Sequence, residues 1–204
     1  MPLADSIRPK TLDEVVGQSH ILAPGKPLRR IIESGKIPNM IFYGSSGIGK
    51  TTVANIIADS TEMNLYKLNG TSCSTADIKE IIAGRGQFGF GRGTLLYLDE
   101  IQYLNKRQQQ SLLEYIENGD ITLIASTTEN PYFYIYNAIL SRSTVFEFKP
   151  VEKEEILPAI RRAFRLGEEN ANCRYTIEGC VCAHIAMGCG GAVRQALNTV
   201  DLCI

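Results

Sequence analysis

The chain has 204 residues, 44% of them hydrophobic, and a formal net charge of −1, which is apolar material for one sizeable core plus a small appendage. A charge this close to zero gives no support to non-specific nucleic-acid binding through a basic excess. Met1-Pro2-Leu3-Ala4-Asp5 lacks the charged start and apolar stretch of a secretion signal, and no apolar run approaches the roughly 18 residues of a membrane span, so the chain reads as cytoplasmic, with no membrane partner.

Met40-Ile41-Phe42-Tyr43 is a short apolar run that ends in a Gly/Ser-rich loop, the signal of a buried strand. Thr51 to Ala58 suits a helix, with Val53, Ile56 and Ile57 on one side. Leu65-Tyr66-Lys67-Leu68 is a second strand. Ser74 to Asp77 resembles a capping box, and Ile78, Ile81 and Ile82 then line one helical face. Gly84 to Gly93, with Arg85, Phe88, Phe90 and Arg92 among its glycines, reads as a flexible loop. Thr94 to Leu98 is the strongest strand and runs into Asp99-Glu100. Asn105 with Gln108 starts another helix, whose buried face is Leu112, Leu113 and Ile116. Ile121 to Ala125 and Ser143 to Phe148 are further strands.

Strands alternating with helices over 40–148 predict a parallel sheet covered on both faces. Beyond Lys149-Pro150 the pattern is helical: Glu152 to Arg165, Thr176 to Met187 and Ala192 to Ile204. Pro158 is expected to kink the first of these or to sit near its start. The fold class is therefore α/β, with residues 1–150 as the sheet-bearing domain and 151–204 as a small all-helical one.

Gly44-Ser45-Ser46-Gly47-Ile48-Gly49-Lys50-Thr51 fits the P-loop pattern, and it falls after a strand and before a helix, where that pattern must fall. Glycines let several backbone N–H groups turn inward around phosphates, and the helix N-terminus adds partial positive charge. Lys50 reaches outer phosphates, and Thr51 offers a hydroxyl to Mg²⁺. The strand ending in Asp99-Glu100 lies about fifty residues further on, the second half expected of such a site: Asp99 for Mg²⁺, Glu100 for the attacking water. ATP and Mg²⁺ are thus the expected substrate and cofactor.

The six cysteines, five of them from Cys173 onward, read as reduced thiols serving as small apolar side chains. Cys180, Cys182, His184 and Cys189 match no common zinc spacing.

The order of P-loop, Asp99-Glu100, Ser126-Thr127-Thr128-Glu129-Asn130, Ser141-Arg142 and Gly191-Ala192-Val193-Arg194 resembles the AAA+ ATPases. More closely it resembles the replication-associated recombination protein A family, relatives of clamp loaders. That likeness is carried by Pro2-Leu3-Ala4, Arg8-Pro9, Val16-Gly17-Gln18, Asn105-Lys106, the Thr-Thr-Glu-Asn-Pro run to Pro131, Leu140-Ser141-Arg142 and Arg194 with Ala196-Leu197-Asn198. It implies that Thr128 senses the γ-phosphate or the lytic water and that Arg142 is an arginine finger entering a neighbour's site. Arg194 would be the sensor on a helical lid, and Arg8, Pro9, Val16 and Gly17 would pack on the adenine. It further implies a DNA partner, a homo-oligomer for the full-length protein, and a chain that is a fragment able to be monomeric. Ser45-Ser46 and Ala192 depart from the family's usual two prolines and acid. The residues alone leave other readings open: a nucleotide-binding subunit that does not hydrolyse ATP, a clamp-loader subunit or a branch-migration motor. They also leave bland roles open, with Thr128 a strand-end hydroxyl, Arg142 a surface residue and Arg194 the partner of a lid carboxylate.

Overall fold

The computed structural model describes residues 7–83 and 93–204. The Pro2-Leu3-Ala4 stretch lies outside them, as does the glycine-rich loop expected over Gly84 to Gly93, apart from Gly93 itself. Five strands form one sheet: β1 (Met40–Tyr43), β2 (Asn64–Asn69), β3 (Thr94–Asp99), β4 (Thr122–Thr127) and β5 (Thr144–Glu147). All pairings are parallel, in the order β2-β3-β4-β1-β5. The α-helices of the described residues are α1 (Ser19–Leu22), α2 (Pro27–Glu33), α3 (Lys50–Thr61), α4 (Thr75–Ala83) and α5 (Lys106–Glu117). They continue as α6 (Pro131–Tyr134), α7 (Asn137–Leu140), α8 (Lys153–Ala171), α9 (Gly179–Gly188) and α10 (Val193–Cys203). Among the described residues, no helix is long and apolar enough to cross a membrane.

The alternation of side chains along each strand sorts the core into two layers. Met40 and Phe42, Leu95 and Tyr97, Ile124, and Phe146 pack with Val53, Ala54 and Ile57 of α3 and with α1 and α2. Ile41, Leu96, Leu98, Leu123 and Ala125 pack on the other face with Ile78, Leu112, Ile116 and Ile139. Burial on both faces is why these strands read as apolar runs and not as alternating ones. The helix starts follow from their caps. Asn105 and Gln108 form the full capping box of α5, and at α4 the Ser74 hydroxyl and the Asp77 backbone and carboxylate exchange hydrogen bonds.

A third cluster joins α8, α9 and α10 through Ile156, Ile160, Phe164, Ala186, Leu197 and Val200, and it takes in Val151 and the N-terminal Ile7. The early segment thus packs on the late helices. Gln18 ties this arrangement to the sheet: its side-chain nitrogen donates to the Lys149 carbonyl at 2.7 Å, and its oxygen accepts from the Lys149 N–H at 2.9 Å. Helix α8 runs through Pro158, because tertiary packing of Ala159, Ile160 and Ala163 outweighs the one hydrogen bond proline removes. It extends six residues past the Arg165 expected from sequence, while α9 starts three residues after Thr176. Of the cysteines, Cys73 and Cys189 are buried as apolar side chains, whereas Cys173, Cys180 and Cys203 are exposed.

Gln18 is 4% exposed and holds the Lys149 amide and carbonyl together, so Gln18→Ala removes both hydrogen bonds. We expect a loss of about 1–3 kcal/mol, read from urea unfolding; a change of less than about 0.5 kcal/mol would show that the clamp contributes nothing.

Candidate functional site: a nucleotide cleft at the ends of β1, β3 and β4

The loop after β1 turns sharply. Gly44 has φ of 141°, and a Cβ there would sit 2.2 Å from the Phe148 carbonyl oxygen, so no other residue fits. Its N–H continues the sheet by donating to Thr127 O at 3.1 Å. Inside the loop, Lys50 is 7% exposed, and its Nζ donates to the Gly44 and Ser45 carbonyls at 2.6 and 2.8 Å. Burial pushes this ammonium below its ordinary pKa, while Glu100 and Asp99 pull it back up. Helix α3 begins here with no side-chain cap on its first turn, leaving its N–H groups open to an anion.

Strand β4 lies between β1 and β3, so its C-terminal end separates the loop from Asp99-Glu100. This is how Ser126 and Thr128 come beside the carboxylates. Ser126 Oγ donates to Asp99 Oδ1. Glu100 Oε2 accepts from Gln102 Nε2 at 2.5 Å and from Thr128 Oγ1 at 3.3 Å. Glu100 itself is left-handed, with φ of 54°, a conformation that costs a non-glycine residue roughly 1–2 kcal/mol. The end of β2 supports it: Gly70 N–H donates to Asp99 O at 2.7 Å, and a Cβ on Gly70 would meet the Glu100 carbonyl at 2.2 Å.

These parts line one open cleft. Its wall includes Ser46 to Thr52, Asp99 and Glu100 on one side and Val193, Arg194 and Leu197 on the other, with Arg8, Pro9, Val15 and Val16 at the N-terminal flank. Arg194 N–H donates to Gly47 O at 3.2 Å, so α10 rests directly on the loop. The Arg194 side chain is exposed and makes no ion pair among the described residues. Gly17 is not part of the wall; it packs against Val151. Hard oxygen donors at Thr51 and Asp99 beside a buried lysine and open helix N–H groups suit a phosphate chain carrying Mg²⁺.

Arg142 lies elsewhere. It precedes β5, and its carbonyl accepts from Asn39, the residue before β1. In a parallel sheet that is the edge opposite the loop, roughly 13 Å away along a four-residue strand. Its guanidinium pairs with Glu117 at 2.6 Å. No sequence motif assigns a role to Gln18, Tyr97, Gln102 or Ser126. The one signal for Tyr97 was a hydroxyl in an otherwise aliphatic strand, on the same face as Asp99. Burial, and then the charge of Asp99, push its pKa up to about 12.

The model of the ATPase family associated with various cellular activities (AAA) matches residues 40–151. Replication-associated recombination protein A of Bacillus subtilis is 40% identical over 205 residues, covering 100% of this chain and 48% of that protein. The protein of the same name from Escherichia coli K12 is 37% identical, covering 98% of this chain and 45% of its own length. The chain thus spans about half the length of the curated relatives it matches. The RuvB Holliday junction branch migration motor of Thermotoga maritima superposes with a TM-score of 0.76 at 27% identity, covering 95% of this chain and 64% of that one.

Because Gly70 has no room for a methyl group against the Glu100 carbonyl, Gly70→Ala should cost about 1–3 kcal/mol and displace the Asp99-Glu100 turn. Denaturant unfolding and nucleotide titration of the same variant would check both effects; parental values in both would contradict the close approach.

Proposed function

The chain belongs to the AAA family of ATPases, and from that footing we propose that its cleft binds ATP with Mg²⁺ and hydrolyses it. One observation carries the reading: Lys50 and Thr51, Asp99 and Glu100, and Arg194 come from three separate segments and line one cleft. The loop N–H groups and the Lys50 ammonium hold the outer phosphates. Thr51 and Asp99 are the residues that would hold Mg²⁺, which when bound offsets negative charge on the phosphates. Glu100 takes the proton of the attacking water, and Thr128, hydrogen-bonded to the same carboxylate, positions that water. Arg194 stabilises charge on the transferring group from the late helices. Arg8, Pro9 and Val16 flank the base.

Residues 1–150 serve as the catalytic body and 151–204 as the lid, in this reading. Arg142 stands at the far edge of the sheet, out of reach of its own cleft, and therefore acts on a neighbouring copy. A DNA substrate is supported by the relatives' names, which refer to replication-associated recombination and to a Holliday junction motor. In a protein with this chain the ATPase would drive work on such DNA. A Glu100 and an Asp99 that both line the cleft favour hydrolysis over mere nucleotide storage.

Glu100→Gln keeps shape and loses the base, so it should bind ATP at near-parental affinity and turn over about 10² to 10⁴ times more slowly. Steady-state ATP hydrolysis alongside equilibrium binding reads this; hydrolysis at the parental rate would remove Glu100 from the role. Arg142→Ala should leave affinity intact and lower turnover by about 10³ in the assembled protein. If its effect were instead to abolish binding by isolated chains, Arg142 would not be acting between copies.

A further inference from the structure

Tyr97 is 2% exposed, in the middle of β3, among leucines. Along the strand Leu95, Tyr97 and Asp99 alternate onto the face that packs on α3. The Tyr97 hydroxyl lies 3.0 Å from Thr51 Oγ1, 3.0 Å from Ser126 Oγ and 3.4 Å from Asp99 Oδ1. Ser126 Oγ is itself hydrogen-bonded to Asp99 Oδ1. Four side chains from α3, β3 and β4 thus share one small polar cluster beneath the cleft.

Counting protons orders this cluster. An ionised carboxylate only accepts, so Ser126 donates to Asp99. The Ser126 oxygen is then free to accept, and Tyr97 donates to it. The Tyr97 oxygen in turn has a lone pair for the Thr51 proton. The chain runs Thr51 to Tyr97 to Ser126 to Asp99, every hydroxyl donating toward the one negative charge, an arrangement in which each bond polarises the next.

A hydroxyl that ligates a cation must turn a lone pair toward it and send its proton elsewhere. We propose that Tyr97 is a positioning residue for the divalent cation: it accepts the Thr51 proton, leaves the Thr51 lone pairs facing the cleft, and fixes the spacing between Thr51 and Asp99. Tyr97 touches neither cation nor nucleotide; it acts through Thr51 and Asp99. The inference rests on assigning those two residues to Mg²⁺. Phenylalanine in its place fills the same space in the core layer that includes Phe42, Val53 and Ile124 but accepts no proton. The Thr51 hydroxyl then loses its fixed orientation.

The test is equilibrium titration of the 204-residue chain with a fluorescent ATP analogue, in EDTA and across a Mg²⁺ series, for the parent and for Tyr97→Phe. The expected result is a Mg²⁺ midpoint raised about tenfold in the variant, the scale typical of groups that orient metal ligands. Affinity in EDTA should stay within about twofold of the parent, since packing is kept. An unchanged midpoint in the variant, with a Mg²⁺-dependent parent, overturns this inference alone. An equal loss of affinity with and without Mg²⁺ also overturns it, because that marks a packing role. A parent whose affinity ignores Mg²⁺ overturns the metal assignment and this inference with it. Should Tyr97→Phe fail to fold, Tyr97→Met carries the same test, because it fills the apolar layer without a hydroxyl: a raised midpoint supports the inference, and a parental midpoint refutes it.

Discussion

A buried ammonium in the loop beyond β1 is the constraint around which the cleft is arranged. Lys50 is almost wholly shielded from water, and burying an unpaired charge is expensive. Two loop carbonyls and the field of Asp99 and Glu100 offset part of that cost. The carbonyls can do so only because the loop folds back on itself, which in turn demands a glycine where Gly44 meets Phe148. Carbonyl dipoles are weaker partners for an ammonium than a phosphate anion. The loop is therefore set to exchange one for the other, with the uncapped first turn of α3 adding further donors.

Topology does the rest of the positioning. Inserting β4 between β1 and β3 moves Asp99-Glu100 one strand away from the loop and fills the gap with hydroxyls from Ser126 and Thr128. Without that strand the two halves would adjoin with no polar layer between them. The late helices close the other wall, held by the Arg194 contact to Gly47 and by Gln18 on the Lys149 backbone. The same parallel order sends Arg142 to the opposite edge. In the proposed reading that placement makes the site one that a single copy cannot finish.

Much of this was legible in the sequence, where a local rule decides the outcome. The P-loop spacing, the Asp99-Glu100 strand end and the Asn105–Gln108 capping box are all short-range signals, and the structure has the strand, turn or helix each one implies. Strand and helix limits shifted by a few residues, as with β4 running on to Thr127, because pairing across the sheet and not propensity sets where a strand ends. The unread parts are long-range. Nothing local marks Gln18 as the partner of a residue 131 positions away. Nothing local marks Gly70 as a support for Glu100 or Tyr97 as a bridge between Thr51 and Asp99. Helices α1 and α2, α6 and α7 are short and carry weak periodicity, so their signal was lost among loop residues.

In the proposed reading this cleft is a nucleotide site completed by a second copy. ATP turnover per chain, measured with Mg²⁺ over a wide range of protein concentration, is the decisive experiment. The per-chain rate should rise with concentration as neighbours supply Arg142. A substantial rate that stays constant down to the most dilute samples would contradict it, since a lone chain would then be catalytically complete.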